Sequence, residues 1–413
     1  MPTDVLSQLP SVNPRRLAAR VTPDALRQIR GGHPWVYDAS ITSITAGGQP
    51  GDVAVVFDDN RRFAAIGLFD PNSPIRLKIL HVGTPVTIDT DWWRTRIAAA
   101  LARRNPLRDS GHTTGYRGIH GENDGFPGLV VDRYADSYVL KLYSEAWFPH
   151  LHTLVPLFAE LLNPRSLVLR LSRRVASEGT PLVEGTALIG TAPARRVQFL
   201  EHGLTFEADL VEGQKTGHFL DQRDNRAVIG TMATGAHVLD VFSSSGGFTV
   251  HAAAGGAASV HSIDMSPASI QLARHHMSIN TSVPAVAACR HETTIGDAFD
   301  AMDALVRKRQ RFDIVIIDPP SFAQRQSSVA GGLKAYRRLT ALGLSLVQPG
   351  GILLQASCSS RITADRFYDA IVAVAAGRGD VLDEVALTGH ALDHPIGFPE
   401  GAYLKAMIAR VNG

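Results

Sequence analysis

Val238-Leu-Asp-Val-Phe-Ser-Ser-Ser-Gly-Gly-Phe248 reads as an apolar strand (Val238 to Phe242) that enters a tight turn and opens a helix of small residues, Phe248 to Ala254. Serines and glycines in such a turn let the backbone come close to a ligand. The same rhythm continues downstream. Val260 to Ile263 is a second strand, a helix is expected from Pro267 to Asn280, Phe312 to Ile317 is a third strand, Leu333 to Val347 is helical, and Gly351 to Ala356 is a further strand. Strands alternating with helices predict a parallel sheet covered on both faces, an α/β Rossmann-like fold. In such sheets ligands sit at the C-terminal ends of the strands, beside the switch in strand order.

Upstream the texture differs. Val53 to Phe57, Phe63 to Phe69 and Ile75 to Leu80 are short β-prone runs separated by Asp58-Asp59-Asn60 and Asp70-Pro71-Asn72, which are turn chemistry. A small β-barrel-like module over residues 1–88 follows. Residues 89–194 read as α+β: a helix from Trp92 to Arg104 with Asp91 as its N-cap, a Gly121 to Gly128 loop, strands Leu129 to Val131 and Tyr138 to Tyr143, a helix from His150 to Leu162, and a strand from Leu167 to Leu171. Residues 195–413 form the third domain.

A chain of 413 residues suits two or three such domains, at roughly 100–200 residues each. The formal charge of +2 rules out a grossly basic polyanion binder, so any nucleic-acid surface has to be a local patch. Arginine outnumbers lysine, and its planar fork suits phosphate. Cys289 and Cys358 are the only cysteines and form no CxxC pair, which leaves a metal site or a disulfide framework unsupported. No signal peptide and no apolar run of about 18 residues is read, so a cytoplasmic protein without a membrane partner is expected.

The turn lacks GxGxxG, which argues against a pyrophosphate-bearing cofactor. A nucleoside without a pyrophosphate, such as S-adenosylmethionine (SAM), needs no such cradle. Asp264 ends the strand after Asp240, where a carboxylate can accept both hydroxyls of a ribose; Ser266 caps the helix that follows, with Pro267 at its first position. Asp297, beside Phe299, can meet an adenine amino group. The bland alternative is a structural strand–turn–helix with solvent-facing acids.

Asp318-Pro-Pro-Ser-Phe322 follows an apolar strand. Pro319 and Pro320 fix the chain and remove two N–H donors, so a planar base can rest there against Phe322 while Asp318 accepts from its exocyclic amine. Cys358, within Gln355-Ala-Ser-Cys-Ser-Ser360, falls at the end of the next strand on the same sheet edge, whereas Cys289 reads as a small core residue. Carbon 5 of a pyrimidine is a poor nucleophile until a thiolate adds at carbon 6, so Cys358 separates methylation at carbon 5 from methylation at nitrogen. Lys334, Arg337 and Arg338 share a helix face after this turn and suit phosphates flanking an extruded base. Arg325 and the run Arg307-Lys-Arg-Gln-Arg311 add charge nearby. Two other readings stay open: a SAM-dependent N-methyltransferase acting on a guanine or an amine of RNA, and a non-catalytic RNA-binding assembly factor.

On these residues the chain resembles the bacterial large-subunit ribosomal RNA cytosine-C5 methyltransferases that carry an N-terminal PUA domain. His33-Pro-Trp-Val-Tyr37 and Phe69-Asp-Pro-Asn-Ser-Pro-Ile-Arg76 are similar to the PUA segment, and Gly121 to Tyr134 to the central domain. Gly213 to Arg226 is similar to the stretch leading into the methyltransferase sheet; Asp393-His-Pro and Pro399 to Lys405 are similar to the C-terminal hairpin. The resemblance implies a class I methyltransferase domain, ribosomal RNA as partner, and SAM contacts at Lys215, Phe219, Asp240, Ser243, Gly246, Asp264, Asp297 and Asp318. It also implies Cys358 as nucleophile. Ser243-Ser-Ser stands where relatives often have a Tyr-Thr pair, and Ser321 stands where a lysine is common, which leaves the target nucleotide open. Glu400 and His394 are candidates for the general base. The assembly state stays open, a homodimer included.

Overall fold

The computed structural model describes residues 3–177, 182–194, 196–213, 216–323 and 325–412. The chain forms two compact units. The first comprises Met1–Leu200, Glu207–Leu220 and Leu392–Pro399; the second comprises Glu201–Phe206, Asp221–Ala391 and Glu400–Gly413.

The first unit contains a six-stranded sheet built from the strands between Leu17 and Val82, and a five-stranded sheet built from those between Gly115 and Gly190. One apolar core joins them: Val53, Ile66 and Leu68 of the first sheet pack in the same cluster as Trp93, Phe126, Trp147 and Leu140. The second sheet contains a parallel pair, Ser137–Leu142 with Ser166–Leu171, joined through the helix Leu151–Leu162 as a crossover. The helix Thr90–Ala102 begins two residues earlier than the sequence suggests. Asp89, not Asp91, is its N-cap, because its carboxylate reaches the Trp92 N–H; Asp91 is already inside the helix and exposed. Lys78 and Asp70 form a buried ion pair at 2.8 Å, and Ser144 donates to the same Asp70 oxygen at 2.6 Å.

The second unit is a seven-stranded sheet: β1 His237–Val241, β2 Ser259–Asp264, β3 Arg290–Ile295, β4 Phe312–Ile317, β5 Val347–Ser357, β6 Val381–Thr388 and β7 Lys405–Asn412. Their spatial order is β3-β2-β1-β4-β5-β7-β6. The first five strands are parallel, and β7 runs antiparallel between β5 and β6. The sequence reading missed β3: its run Arg-His-Glu-Thr-Thr-Ile has one strongly apolar residue, since this edge strand is only partly covered. The helices are α1 Arg223–Met232, α2 Gly247–Ala254, α3 Pro267–Ile279, α4 Ala298–Arg307, α5 Val329–Leu346 and α6 Ala364–Arg378.

Strand periodicity sends alternate side chains to opposite faces. Val238, Ile314, Ile316 and Leu354 pack with Ile229 of α1 and Phe248 and Ala252 of α2. Leu239, Val241, Val315, Ile317 and Leu353 pack with Met302 of α4 and Leu339 and Leu342 of α5. Asp240 therefore faces α2. Asp318 continues β4 with the parity of Ile314 and Ile316, which brings it to the same side. Glu201 holds Arg226 of α1 in a two-pronged pair at 2.6 Å, and a side chain at Gly247 would strike that arginine.

Candidate active site

The sheet reverses its strand order between β1 and β4, and the conserved logic of such sheets puts a ligand crevice at the C-terminal ends of these two strands. The turn after β1 is wound tightly. Phe242, Ser244 and Gly246 all have positive φ, at 63°, 49° and 77°. At Gly246 a Cβ would lie 2.8 Å from the Cβ of Ala273 in α3, so glycine is required for both conformation and clearance. The left-handed Phe242 and Ser244 are strained backbone of the kind that clusters at ligand sites.

Asp264 at the end of β2 fastens this turn. One of its oxygens accepts the Ser244 N–H at 2.9 Å and the other accepts the Ser266 N–H at 2.8 Å. Each oxygen keeps a further lone pair for a ligand hydroxyl. Ser266 caps α3 by accepting from Ser269, with Pro267 behind it.

Asp240 is buried beneath the turn. Thr249 donates to its Oδ2 from both backbone N–H (3.1 Å) and hydroxyl (2.7 Å). Its Oδ1 and the Ser243 hydroxyl are buried with no hydrogen-bond partner among the described residues. Burial pushes the Asp240 carboxyl up to about 7, the charges of Asp318 and Asp264 push the same way, and only the Thr249 hydrogen bonds oppose them. Buried polar atoms left open are rare. Together with the two left-handed residues above them, they fit a nucleoside ligand bearing donor groups, as SAM does.

Asp297 caps α4, its Oδ1 accepting from Phe299 and Asp300. Asp318 accepts from the Gln222 amide at 2.9 Å, and Gln222 is itself held by Asn225 at 2.6 Å. Pro319 is buried and Pro320 exposed. Phe322 meets the ring of Tyr336 edge-on at 5.2 Å.

Cys358 follows β5, whose Gln355 is paired with Ile317 of β4. Its sulfur is half-buried and lies 3.9 Å from the Pro319 carbonyl, toward which the thiol donates. Asp318, Pro319, Phe322 and Cys358 are therefore brought to one corner of the sheet edge. Cys289 is also half-buried, packed at the rim of the α1–α2 core, and burial raises its pKa.

The basic residues separate. Lys334 and Arg337 on α5 are exposed. Arg338 instead pairs with Asp303 at 2.8 Å and lies over the ring of Phe299 at 4.7 Å, so its charge is partly spent tying α5 to α4. Arg311 reaches the Val347 carbonyl at 2.9 Å and serves the sheet. Phe219 is a half-buried residue of the first unit, and Lys215 lies outside the described residues. His394 is buried in the first unit against His120 and next to Asp393, an environment of core packing; Glu400 is an exposed residue of the second unit.

Sequence reasoning gave no role to Gln222, Asn225, Thr249, Tyr336 and Lys405. Gln222, Asn225 and Lys405 do sit within the stretches quoted for the resemblance. Thr249 and Tyr336 carry no local signal, because only the folded sheet brings them to Asp240 and to Ser357.

A sheet ordered β3-β2-β1-β4-β5-β7-β6, with its ligand turn after β1 and acids ending β1 and β2, is that of a class I methyltransferase. Residues 161–395 match the S-adenosylmethionine-dependent methyltransferase family and residues 19–81 a PUA-like domain. The chain belongs to that methyltransferase family. It is 43% identical to a ribosomal RNA large subunit methyltransferase of Deinococcus radiodurans, over 98% of this chain and 99% of that protein. It is 35% identical to ribosomal RNA large subunit methyltransferase I of Shewanella denitrificans, over 95% and 98%. In fold it is similar to a SAM-dependent methyltransferase from Streptococcus mutans (TM-score 0.80, 22% identity, 95% and 99% covered) and to a methyltransferase solved with SAH (TM-score 0.81, 21%, 96% and 99%).

Proposed function

We propose that this protein methylates carbon 5 of a cytosine in large-subunit ribosomal RNA, with Cys358 as a transient covalent nucleophile. Residues 1–88 serve as the PUA-like RNA-binding module, 89–194 as the central domain, and 195–413 carry the chemistry. The substrate class follows the names of the relatives. The atom methylated follows from the observation that carries the reading: a half-buried cysteine sulfur 3.9 Å from the carbonyl of the proline after Asp318.

SAM, when bound, supplies an electrophilic methyl carbon. Asp240, Ser243, Gly246 and Asp264 are the residues that hold it, with Asp297 and the second-unit end of the Gly213 to Arg226 stretch alongside. Asp318, fixed by Gln222, accepts from the exocyclic amine and orients the base against Pro319, Pro320 and Phe322. The Cys358 thiolate forms a bond to carbon 6, and the electron pair of the carbon 5–carbon 6 double bond becomes available at carbon 5. After methylation the carbon 5 proton is lost to a base, the double bond re-forms, and the sulfur leaves as thiolate. Lys334 and Arg337 are left to meet flanking phosphates.

The test is Cys358→Ala, read by mapping methyl groups on ribosomal RNA and by incubation with RNA containing 5-fluorocytidine. Wild-type protein should form a covalent complex, since fluorine cannot leave as a proton. The variant should form none and transfer no methyl. Methylation surviving in the variant would sink the covalent route and favour a nitrogen target.

A further inference from the structure

Lys405 opens β7 and stands opposite Ser357 in the antiparallel register with β5, one residue from Cys358. Its side chain is buried, at 3% exposure. The ammonium donates to the carbonyls of Ser359, Ile362 (2.6 Å) and Tyr403 (3.1 Å). All three N–H bonds are thus spent on backbone oxygens, and no carboxylate pairs with it among the described residues. A buried cation without a counter-charge is costly, and burial accordingly pulls the Lys405 pKa down to about 8. The acidic group that works against this pull is Cys358.

We propose that Lys405 is a positioning residue for Cys358: its ammonium anchors the turn Ser359–Ile362 that follows the cysteine, and its charge favours the thiolate. The inference rests on Cys358 being the nucleophile. The geometry explains why a lysine stands at the head of an interior strand whose neighbours Ala406, Ile408 and Ala409 are apolar and buried. Three donors converging on carbonyls lock the ammonium in place, so the charge is held at the turn that follows the cysteine without neutralising itself on an acid.

Among the described residues, Tyr336 and Asp318 lie near the sulfur as titratable groups, one neutral and one working the opposite way. Tyr336 of α5 is fully buried and accepts from the Ser357 hydroxyl at 2.8 Å; burial raises its pKa, so its phenol keeps its proton. The Asp318 carboxyl at the end of β4 raises the pKa of Tyr336 through its negative charge and opposes a thiolate in the same way, as does the thiol's own bond to the Pro319 carbonyl. Arg361 is exposed. Lys405 is a buried cation that offsets them.

The experiment measures the pH dependence of iodoacetamide alkylation in the resting protein, without RNA, with peptide mass spectrometry separating Cys358 from Cys289. In wild type the Cys358 midpoint should lie below the free-thiol value of about 8.5. Lys405→Met should raise it by about one unit or more, and Lys405→Arg, which keeps the charge, should stay near wild type. A wild-type midpoint at or above that of a free thiol overturns the proposal, and this arm needs no variant to fold. So does a Lys405→Arg shift as large as that of Lys405→Met. Because alkylation is read without methyl transfer, a normal shift alongside an active Cys358→Ala enzyme would indict the covalent mechanism and spare the lysine.

Discussion

Replacing Asp240 with asparagine should flatten the pH dependence of the methyltransferase sheet. The folded carboxyl ionises near pH 7 because it is buried between Thr249, Asp264 and Asp318, whereas its ordinary value is 3.8. Between those two values the folded state carries a proton that the unfolded state has lost. Wild-type stability therefore falls as pH rises through this window and levels above 7. Across pH 5 to 7 that is two units at about 1.4 kcal/mol each, so roughly 3 kcal/mol. Asparagine keeps the shape and can accept both Thr249 hydrogen bonds but cannot ionise. Its own burial cost is the same at every pH and cancels when slopes are compared. The assay is hydrogen exchange of the β1 amides at pH 5, 6, 7 and 8, corrected for intrinsic rates. Tryptophan fluorescence would miss the effect, since Trp35, Trp92, Trp93 and Trp147 all lie in the first unit. Wild type and Asp240→Asn protein whose β1 stabilities run parallel within about 0.5 kcal/mol would show that Asp240 is neither desolvated nor neutral, and the account of the turn would fail.

Further outcomes follow from the same structure. Asp264→Ala removes the carboxylate that holds Ser244 and Ser266, and with it the ribose contact; calorimetry should show SAM affinity weakened by roughly 1.5–3 kcal/mol, and unchanged affinity would place the ribose elsewhere. Lys78→Met leaves buried Asp70 with only the Ser144 hydroxyl and the more distant Arg174 guanidinium, 3.6 Å away, so urea unfolding followed by tryptophan fluorescence should show a loss of about 3–5 kcal/mol in the first unit, and a loss below about 1 kcal/mol would mean that those two groups suffice. SAM binding to wild type should strengthen from pH 6 to 8 and level there, because a cationic ligand near Asp240 favours its ionised form; a flat profile would separate the ligand charge from this carboxyl.

Much of the second unit was legible because its strands are buried on both faces and read as apolar runs. Phe312–Ile317 is bounded in the sequence where the structure bounds it, and Ser266-Pro267 announces α3 through cap chemistry. The edge strand β3 was illegible for the converse reason: Arg290 to Ile295 is partly solvated and polar. Aspartates at strand ends could be singled out because apolar runs ending in acids are unusual. Tyr336 and Lys405 could not, since a tyrosine on a helix and a lysine at a strand start acquire meaning only from partners distant in sequence. The basic face of α5 shows the limit of helical spacing: Lys334, Arg337 and Arg338 share a face, yet spacing alone says nothing of Asp303 on the neighbouring helix, which claims Arg338.

Strand β7 is made last of the seven but inserted between β5 and β6, which precede it in the chain. Until it docks, β5 remains an open edge and the nascent sheet has an unfilled slot. During synthesis, then, the cysteine at the end of β5 waits for a lysine that has not yet been translated. A chain interrupted before this final segment would carry an ordinary thiol on an incomplete scaffold, so reactivity at that sulfur arrives only with the closing act of folding.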